Sequence, residues 1–166
     1  MTLIEILVVL SVLVILMAII LPSMSAYRSA SLKAKTSALL NNLSLGLDAY
    51  KNDYRSYPNI PSSTDFYGEL NKLLYTALSG DDNLNFSVDA TDRKGYVEFP
   101  ADALDRSTGT TAPFIVDAFD RRIGYWPYPL YHNRTSFNLW SKGPDDKTGE
   151  DAELGDDGVD DINNWK

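Results

Sequence analysis

The sequence predicts an α+β protein: a long N-terminal α-helix, half apolar and half amphipathic, packed on a small head built around an antiparallel sheet. Three observations lead there. Residues Ile6–Leu21 read ILVVLSVLVILMAIIL, with Ser11 the one polar member. Beyond them, Thr36, Leu40, Leu43, Leu47, Tyr50 and Tyr54 recur at steps of 4, 3, 4, 3 and 4, which is one face of a helix. Short β-rich runs bounded by turn residues then fill the second half of the chain.

The first element needs an environment as well as a conformation. Counted from Met1, twenty-one helical residues span about 31 Å at roughly 1.5 Å each, enough to cross the hydrocarbon core of a bilayer. Being apolar all round, this stretch must be buried in lipid or against copies of itself. A secretory signal peptide is the rival, with Ser23-Met24-Ser25 as small residues at cleavage spacing. It wants a basic leading region, whereas no Lys or Arg precedes the run and an acid stands at position 5. Glu5 is the only charged side chain before Arg28, and a lone carboxylate near a membrane costs a few kcal/mol without a partner. The nearest cation is an α-amino group, its own or that of a staggered neighbouring copy. The alternative is that Glu5 snorkels to the headgroup region.

Pro22 removes one helix hydrogen bond and is expected to kink or locally melt the helix. The amphipathic stripe carries the helix on to about Tyr54, and Tyr57-Pro58 with the turn-rich Asn59–Ser63 ends it. A second helix is expected from Asp65 to Leu78, capped by Ser63, Thr64 or Asp65 and stopped by Gly80. Phe66, Leu70, Leu73, Leu74 and Ala77 would form its buried face. Asp81–Asn85 reads as a loop and Ser107–Thr111 as a polar turn. Tyr96–Phe99, Phe114–Val116, Arg122–Trp126 and Ser136–Trp140 read as strands.

The chain has 166 residues, room for one compact domain and one long extra element. Its net charge of −8 is concentrated at the C-terminus: residues 145–166 hold nine acids against two lysines, hence seven of the eight net negative charges. With no basic cluster, nucleic-acid binding is not expected. The absence of cysteine excludes disulfides and thiolate sites, and the single histidine, His132, excludes a multi-histidine zinc centre. No Gly-rich phosphate loop is present, so nucleotide hydrolysis would have to be done elsewhere. No catalytic constellation stands out, and the protein is not expected to be an enzyme. The aromatic, proline-rich strip Tyr125–His132 reads either as a recognition surface or as an irregular edge on a sheet. The Asn133-Arg134-Thr135 sequon is discounted, and the tyrosines read as packing.

The N-terminal stretch MTLIEILVVLSVLVILMAIILP resembles the mature N-terminus of type IV pilins and type II secretion pseudopilins. The resemblance implies that a prepilin peptidase cuts before the first residue and methylates its amine, with Met1 where the family commonly has Phe. It also implies that Glu5 neutralises the amine of an adjacent subunit during filament assembly. In the head, Asp53–Pro58 followed by Asp65–Leu70 is similar to the major (G-type) pseudopilin. Asp117–Tyr125 looks like that family's strand lead-in, and Leu139–Asp145 like its S-x-G-x-D loop. Gly149-Glu150-Asp151-Ala152 resembles its G-E-D-A segment and Ile162–Trp165 its ending. Residues 81–116 are longer than the family's usual connection, and Asp157–Asp161 enlarges the acidic tail.

Nine acids in so short a stretch repel one another and call for a counter-ion or full solvation; hard divalent cations with oxygen ligands meet that need. The resemblance implies a calcium loop, with ligands from the side chains of Asp145 and Asp151 and the carbonyls of Lys142 and Lys147. Glu153 and Asp156 are further candidates. A solvated acidic tail is the reading on composition alone. The resemblance thus implies an inner-membrane segment over residues 1–27 and a periplasmic head over residues 28–166. The expected function is that of a structural subunit of a type II secretion pseudopilus, a helical filament that helps push folded proteins through the outer membrane. Its expected partners are copies of itself, minor pseudopilins, an inner-membrane assembly platform, a separate secretion ATPase and the prepilin peptidase. The alternatives are a type IV pilin of an extracellular fibre and a membrane-tethered enzyme or binding protein.

Overall fold

One helix, α1, accounts for nearly a third of the chain, running from Leu3 to Tyr54 over 52 residues. The structure, a computed structural model, describes residues 2–60, 63–81, 93–105, 113–128, 133, 135–145 and 161–164, with the side chains of 19–26 and 145 excepted. The helix continues through position 22 without interruption, so the local melting expected at Pro22 does not occur. The chain divides into two units, Met1–Leu32 and Lys33–Lys166. In the first, every described side chain from Thr2 to Ala18 is exposed, including Leu3, Ile4 and thirteen further residues of the apolar run to Met17 and Ala18. Among the described residues no helix is long and apolar enough to cross a membrane. The segment expected to cross, residues 1–27, runs on past Ala18 through the apolar Ile19–Leu21 into side chains outside those described.

In the second unit the stripe does what its spacing predicts. Thr36, Leu40, Leu43 and Leu47 are buried, Tyr50 is half-buried, and Tyr54 at the helix end is 46% exposed. The four buried positions form one ridge, and Leu40, Leu43 and Leu47 join the core made with Leu70, Leu74, Leu78, Ile115, Ile123, Tyr125 and Leu139.

Helix α2 spans Glu69–Ser79, four residues later than the expected Asp65 start. The cause is the Asp65 carboxylate, which accepts hydrogen bonds from the amides of Gly68 at 2.9 Å and Glu69 at 3.2 Å. The first helical donors are thus satisfied from a turn, and residues 66–68 do not join the helix. At the other end Gly80, at φ 75°, supplies the left-handed stop. The buried face includes Leu70, Leu74 and Ala77 as expected, and also Asn71, Tyr75, Leu78 and Ser79; Phe66 and Leu73 are half-buried.

The strands are short and form two antiparallel sheets. Strand β1 (Leu104–Asp105), entered from a 3-10 turn at Ala101–Ala103, pairs with β2 (Phe114–Ile115). Strand β4 (Asn138–Ser141) lies between β3 (Gly124–Trp126) and β5 (Ile162–Asn163). All four expected strands need correction: Phe114–Val116 and Arg122–Trp126 shorten to β2 and β3, with Val116 and Arg122 meeting only in an isolated bridge. Tyr96–Phe99 forms none: the amides of Tyr96 and Val97 both donate to the Leu78 carbonyl, at 2.7 and 3.0 Å, closing the C-terminal end of α2. The strand expected from Ser136 begins at Asn138, because the Phe137 carbonyl accepts from the side-chain amides of Asn133 and Asn164. β1 and β5, two residues each, had no sequence signal. Asn71, fully buried, ties α2 to the rest of the head. Its amide donates to the carbonyls of Ile115 and Ile123, and its oxygen accepts from the Ile115 amide.

Candidate functional site

The expected assembly site lies at the first turn of α1. The Glu5 carboxylate accepts a hydrogen bond from the Thr2 amide at 2.6 Å, and the Glu5 amide donates back to Thr2 Oγ1 at 3.4 Å. This is a capping box, and Thr2-Leu3-Ile4-Glu5 carries its T-x-x-E signature. The partner found for Glu5 is therefore a backbone donor of its own helix, three residues back; a carboxylate there also complements the positive end of the helix dipole. Met1, expected to supply the amine, lies outside the described residues. Pro22 is helical in backbone, and its side chain is not described.

The acidic segment is the second candidate, and the structure describes its two ends. Residues Trp140 and Ser141 pair with Asn163 and Ile162, so the chain leaves the sheet after β4 and returns beside the same strand at β5. The described ends of the segment, at Ser141 and Ile162, are thereby held side by side. The outgoing end is held by Asp117, which is 1% exposed. Its carboxylate accepts from the amides of Phe119 at 2.8 Å and Arg121 at 2.9 Å and from the Ser141 hydroxyl. The Ser141 oxygen accepts from the Gly143 amide, and the Arg121 guanidinium donates to the Gly143 carbonyl. Asp120, at φ 61°, completes the tight turn, and Ala118 reaches α1 through its amide on Thr36 Oγ1 at 3.2 Å. One buried carboxylate thus joins the turn before β3, the end of β4 and the start of the acidic segment.

Of the expected calcium ligands, Lys142 and Asp145 fall among the described residues. Lys142 is half-buried with its ammonium 4.6 Å from the centre of the Tyr67 ring, and Asp145 ends a 3-10 turn at Gly143–Asp145. Lys147, Asp151, Glu153 and Asp156 lie outside the described residues. Among the described residues, no three His, Cys, Asp or Glu side chains gather as a metal site would require. Sequence reasoning missed Asp117 as a hub, and it missed Asp161, an acid only 5% exposed at the returning end. The capping box was readable from T-x-x-E. The burial of Asp117 was not, since its partner Ser141 is 24 positions away.

Electrostatic ties elsewhere in the head are exposed. Lys94 and the Tyr96 hydroxyl both bond the Asp53 carboxylate at 2.7 Å, and those two hydrogen bonds hold its pKa below the ordinary carboxylate value. Lys35 pairs with Asp102 and lowers that carboxyl in the same way. The Tyr125 phenol donates to the Pro58 carbonyl at 2.8 Å, and burial raises its pKa strongly. In the Tyr125–His132 strip, Tyr125 and Pro127 are buried, Trp126 is half-buried and Tyr128 is exposed, while 129–132 lie outside the described residues. The sequon residue Asn133 is half-buried, its amide nitrogen engaged by Phe137.

Compared with known proteins, the chain matches no family, no curated protein and no solved structure.

Proposed function

We propose that this chain is a structural subunit of a filament of the type II secretion pseudopilus kind, held in the inner membrane before assembly and bearing a periplasmic head. The observation that carries the reading is the exposed apolar stretch of α1. From Leu3 to Ala18 the described side chains are apolar but for Glu5 and Ser11, and all are exposed. Such a surface is stable only in lipid or against other copies of itself. Packing apolar helices together replaces lipid contacts with helix contacts, so leaving the membrane does not forfeit the transfer energy of these side chains. The resemblance of the first 22 residues and of the C-terminal segments to pseudopilins supports the same conclusion. The filament reading needs no catalytic centre; a separate ATPase would supply the work. Calcium bound through Asp145, Asp151 and the carbonyls of Lys142 and Lys147 would neutralise the acidic loop, with Glu153 and Asp156 nearby.

The test separates two roles for Glu5. If it pairs with the amine of a neighbouring copy, Glu5→Ala abolishes filaments seen by electron microscopy, while Thr2→Ala leaves most of them. If capping is its whole role, Thr2→Ala and Glu5→Ala each weaken the first turn by about 1 kcal/mol and impair assembly equally. Wild-type filament levels in Glu5→Ala would overturn the pairing. Deletion of the chain in its host should block export of folded proteins; intact export with lost surface fibres would favour the type IV pilin.

A further inference from the structure

A cleft of about 490 Å³ opens beside the end of α1, lined by Tyr50, Ser56, Tyr57, Pro58, Asn59, Pro127 and Tyr128. It belongs to neither the first turn of α1 nor the acidic loop. From its chemistry we infer that it binds an uncharged saccharide, with a sugar ring against Tyr128.

No lining side chain is ionic, and the Asp48 carboxylate and Lys51 ammonium that flank Tyr57 offset each other, so the cleft has no net charge to favour an ion. Two prolines, Pro58 and Pro127, are buried and give a stiff apolar floor that loses little entropy on binding. Tyr128 is 45% exposed and held in place: Trp126 meets its ring at 5.6 Å and 67°, and the Asn59 amide donates to its hydroxyl. A fixed, open aromatic ring suits the apolar C–H face of a pyranose. Tyr57 is anchored through its hydroxyl by Asp48 at 3.2 Å and Ser136 at 3.0 Å, with Lys51 over its ring at 4.4 Å. Among the described residues Asn59 keeps one N–H and its carbonyl oxygen for a ligand, since a carboxamide offers two donors and an acceptor. The hydroxyls of Ser56 and Tyr50 make no hydrogen bond among the described residues, though Tyr54 and Arg93 act on the Tyr50 phenol through charge. Donors and acceptors around an aromatic wall match the hydroxyl edge and apolar face of a neutral sugar. An oligoproline, the other ligand that aromatic grooves accept, brings only acceptors: it can pair with these donors but leaves the Asn59 carbonyl oxygen without one.

The full chain in a detergent without a sugar head is titrated with chitotetraose and maltotetraose, followed by saturation-transfer NMR and intrinsic fluorescence. At least one sugar should saturate, with transfer strongest at ring C–H protons. Tyr128→Ala should weaken it about tenfold or more, equal to 1.4 kcal/mol, and Asn59→Ala by a smaller factor. Both variants must retain the wild-type unfolding midpoint. Tyr128→Phe keeps the ring and should retain most of the affinity, which separates stacking from collapse of the cleft. No saturation by either sugar, equal binding by wild type and Tyr128→Ala, or saturation by a proline decapeptide instead would each overturn the inference. None of these outcomes bears on filament assembly.

Discussion

An ideal Cβ added to Gly124 would lie 2.2 Å from Trp140 Cε2 and 2.6 Å from its indole nitrogen, because the two residues face each other directly across β3 and β4. The indole cannot swing aside: its Nε1 donates to the Tyr67 hydroxyl at 2.6 Å, and Phe66 and Tyr67 meet it edge-on at 5.6 and 5.8 Å. Gly124→Ala should therefore destabilise the head by about 1–3 kcal/mol through overpacking, read as a lower unfolding midpoint with shifted tryptophan emission. An unchanged midpoint would mean that β3 and β4 are free to separate. Asn71 shows the complementary constraint at one residue, since all three of its hydrogen bonds go to backbone groups at 115 and 123. Spacing alone left Asn71 off the expected buried face of α2, because a polar residue reads as solvent-facing until its partners are known. Glu5 was legible as a residue in need of a donor; that the donor is the Thr2 amide follows from T-x-x-E, a pattern of the sequence itself.

At the scale of elements, the long helix was the most legible part of the fold, and its stripe reached the core at the positions the period required. Boundaries set by competing hydrogen bonds were not. The start of α2 moved because the Asp65 carboxylate took up the amides of Gly68 and of Glu69, the first helical residue, and Tyr96–Phe99 failed to pair because the amides of Tyr96 and Val97 serve Leu78. That second segment also reaches the last turn of α1, through Asp53. There the bonds from Lys94 and the Tyr96 hydroxyl lower the folded pKa relative to the unfolded chain. A depressed carboxyl pKa stabilises the fold above its unfolded value, near 3.9, and that contribution is lost as pH falls through the lower folded value. Burial and then the Asp53 bond raise the Tyr96 phenol, so its share persists until the solution is strongly alkaline. NMR titration of the Asp53 carboxyl should give a midpoint below the ordinary range, and Asp53→Asn should flatten stability between about pH 4 and 2. A normal Asp53 midpoint would show the contact to be too exposed to matter.

At the scale of the molecule, the acidic segment sets the question of what the head is built to hold. Its composition was plain in the sequence, but the closure of its base was not, because it depends on β5, a strand of two residues without a propensity signal. With β4 and β5 paired, both ends of the stretch that holds these acids are tied to the sheet. Acids so close in sequence repel one another, and a divalent cation with oxygen ligands would relieve that repulsion. Calcium should therefore raise the unfolding midpoint of the full chain. At 100 times the dissociation constant the gain is about 2.7 kcal/mol, or roughly 5–10 °C for a chain of this size. Magnesium should do less, since it demands a tighter octahedron and gives up water reluctantly, and a chelator should reverse the shift. Asp145→Ala and Asp151→Ala should each remove most of it while leaving the chelated midpoint unchanged. Asp117→Asn should instead lower the chelated midpoint itself, because the Phe119, Arg121 and Ser141 donors converge on that carboxylate whether or not a cation is bound. Equal midpoints in calcium, magnesium and chelator would make the segment a solvated acidic stretch whose charges are tolerated by hydration, its ends held by β4–β5 pairing and the Asp117 hydrogen bonds.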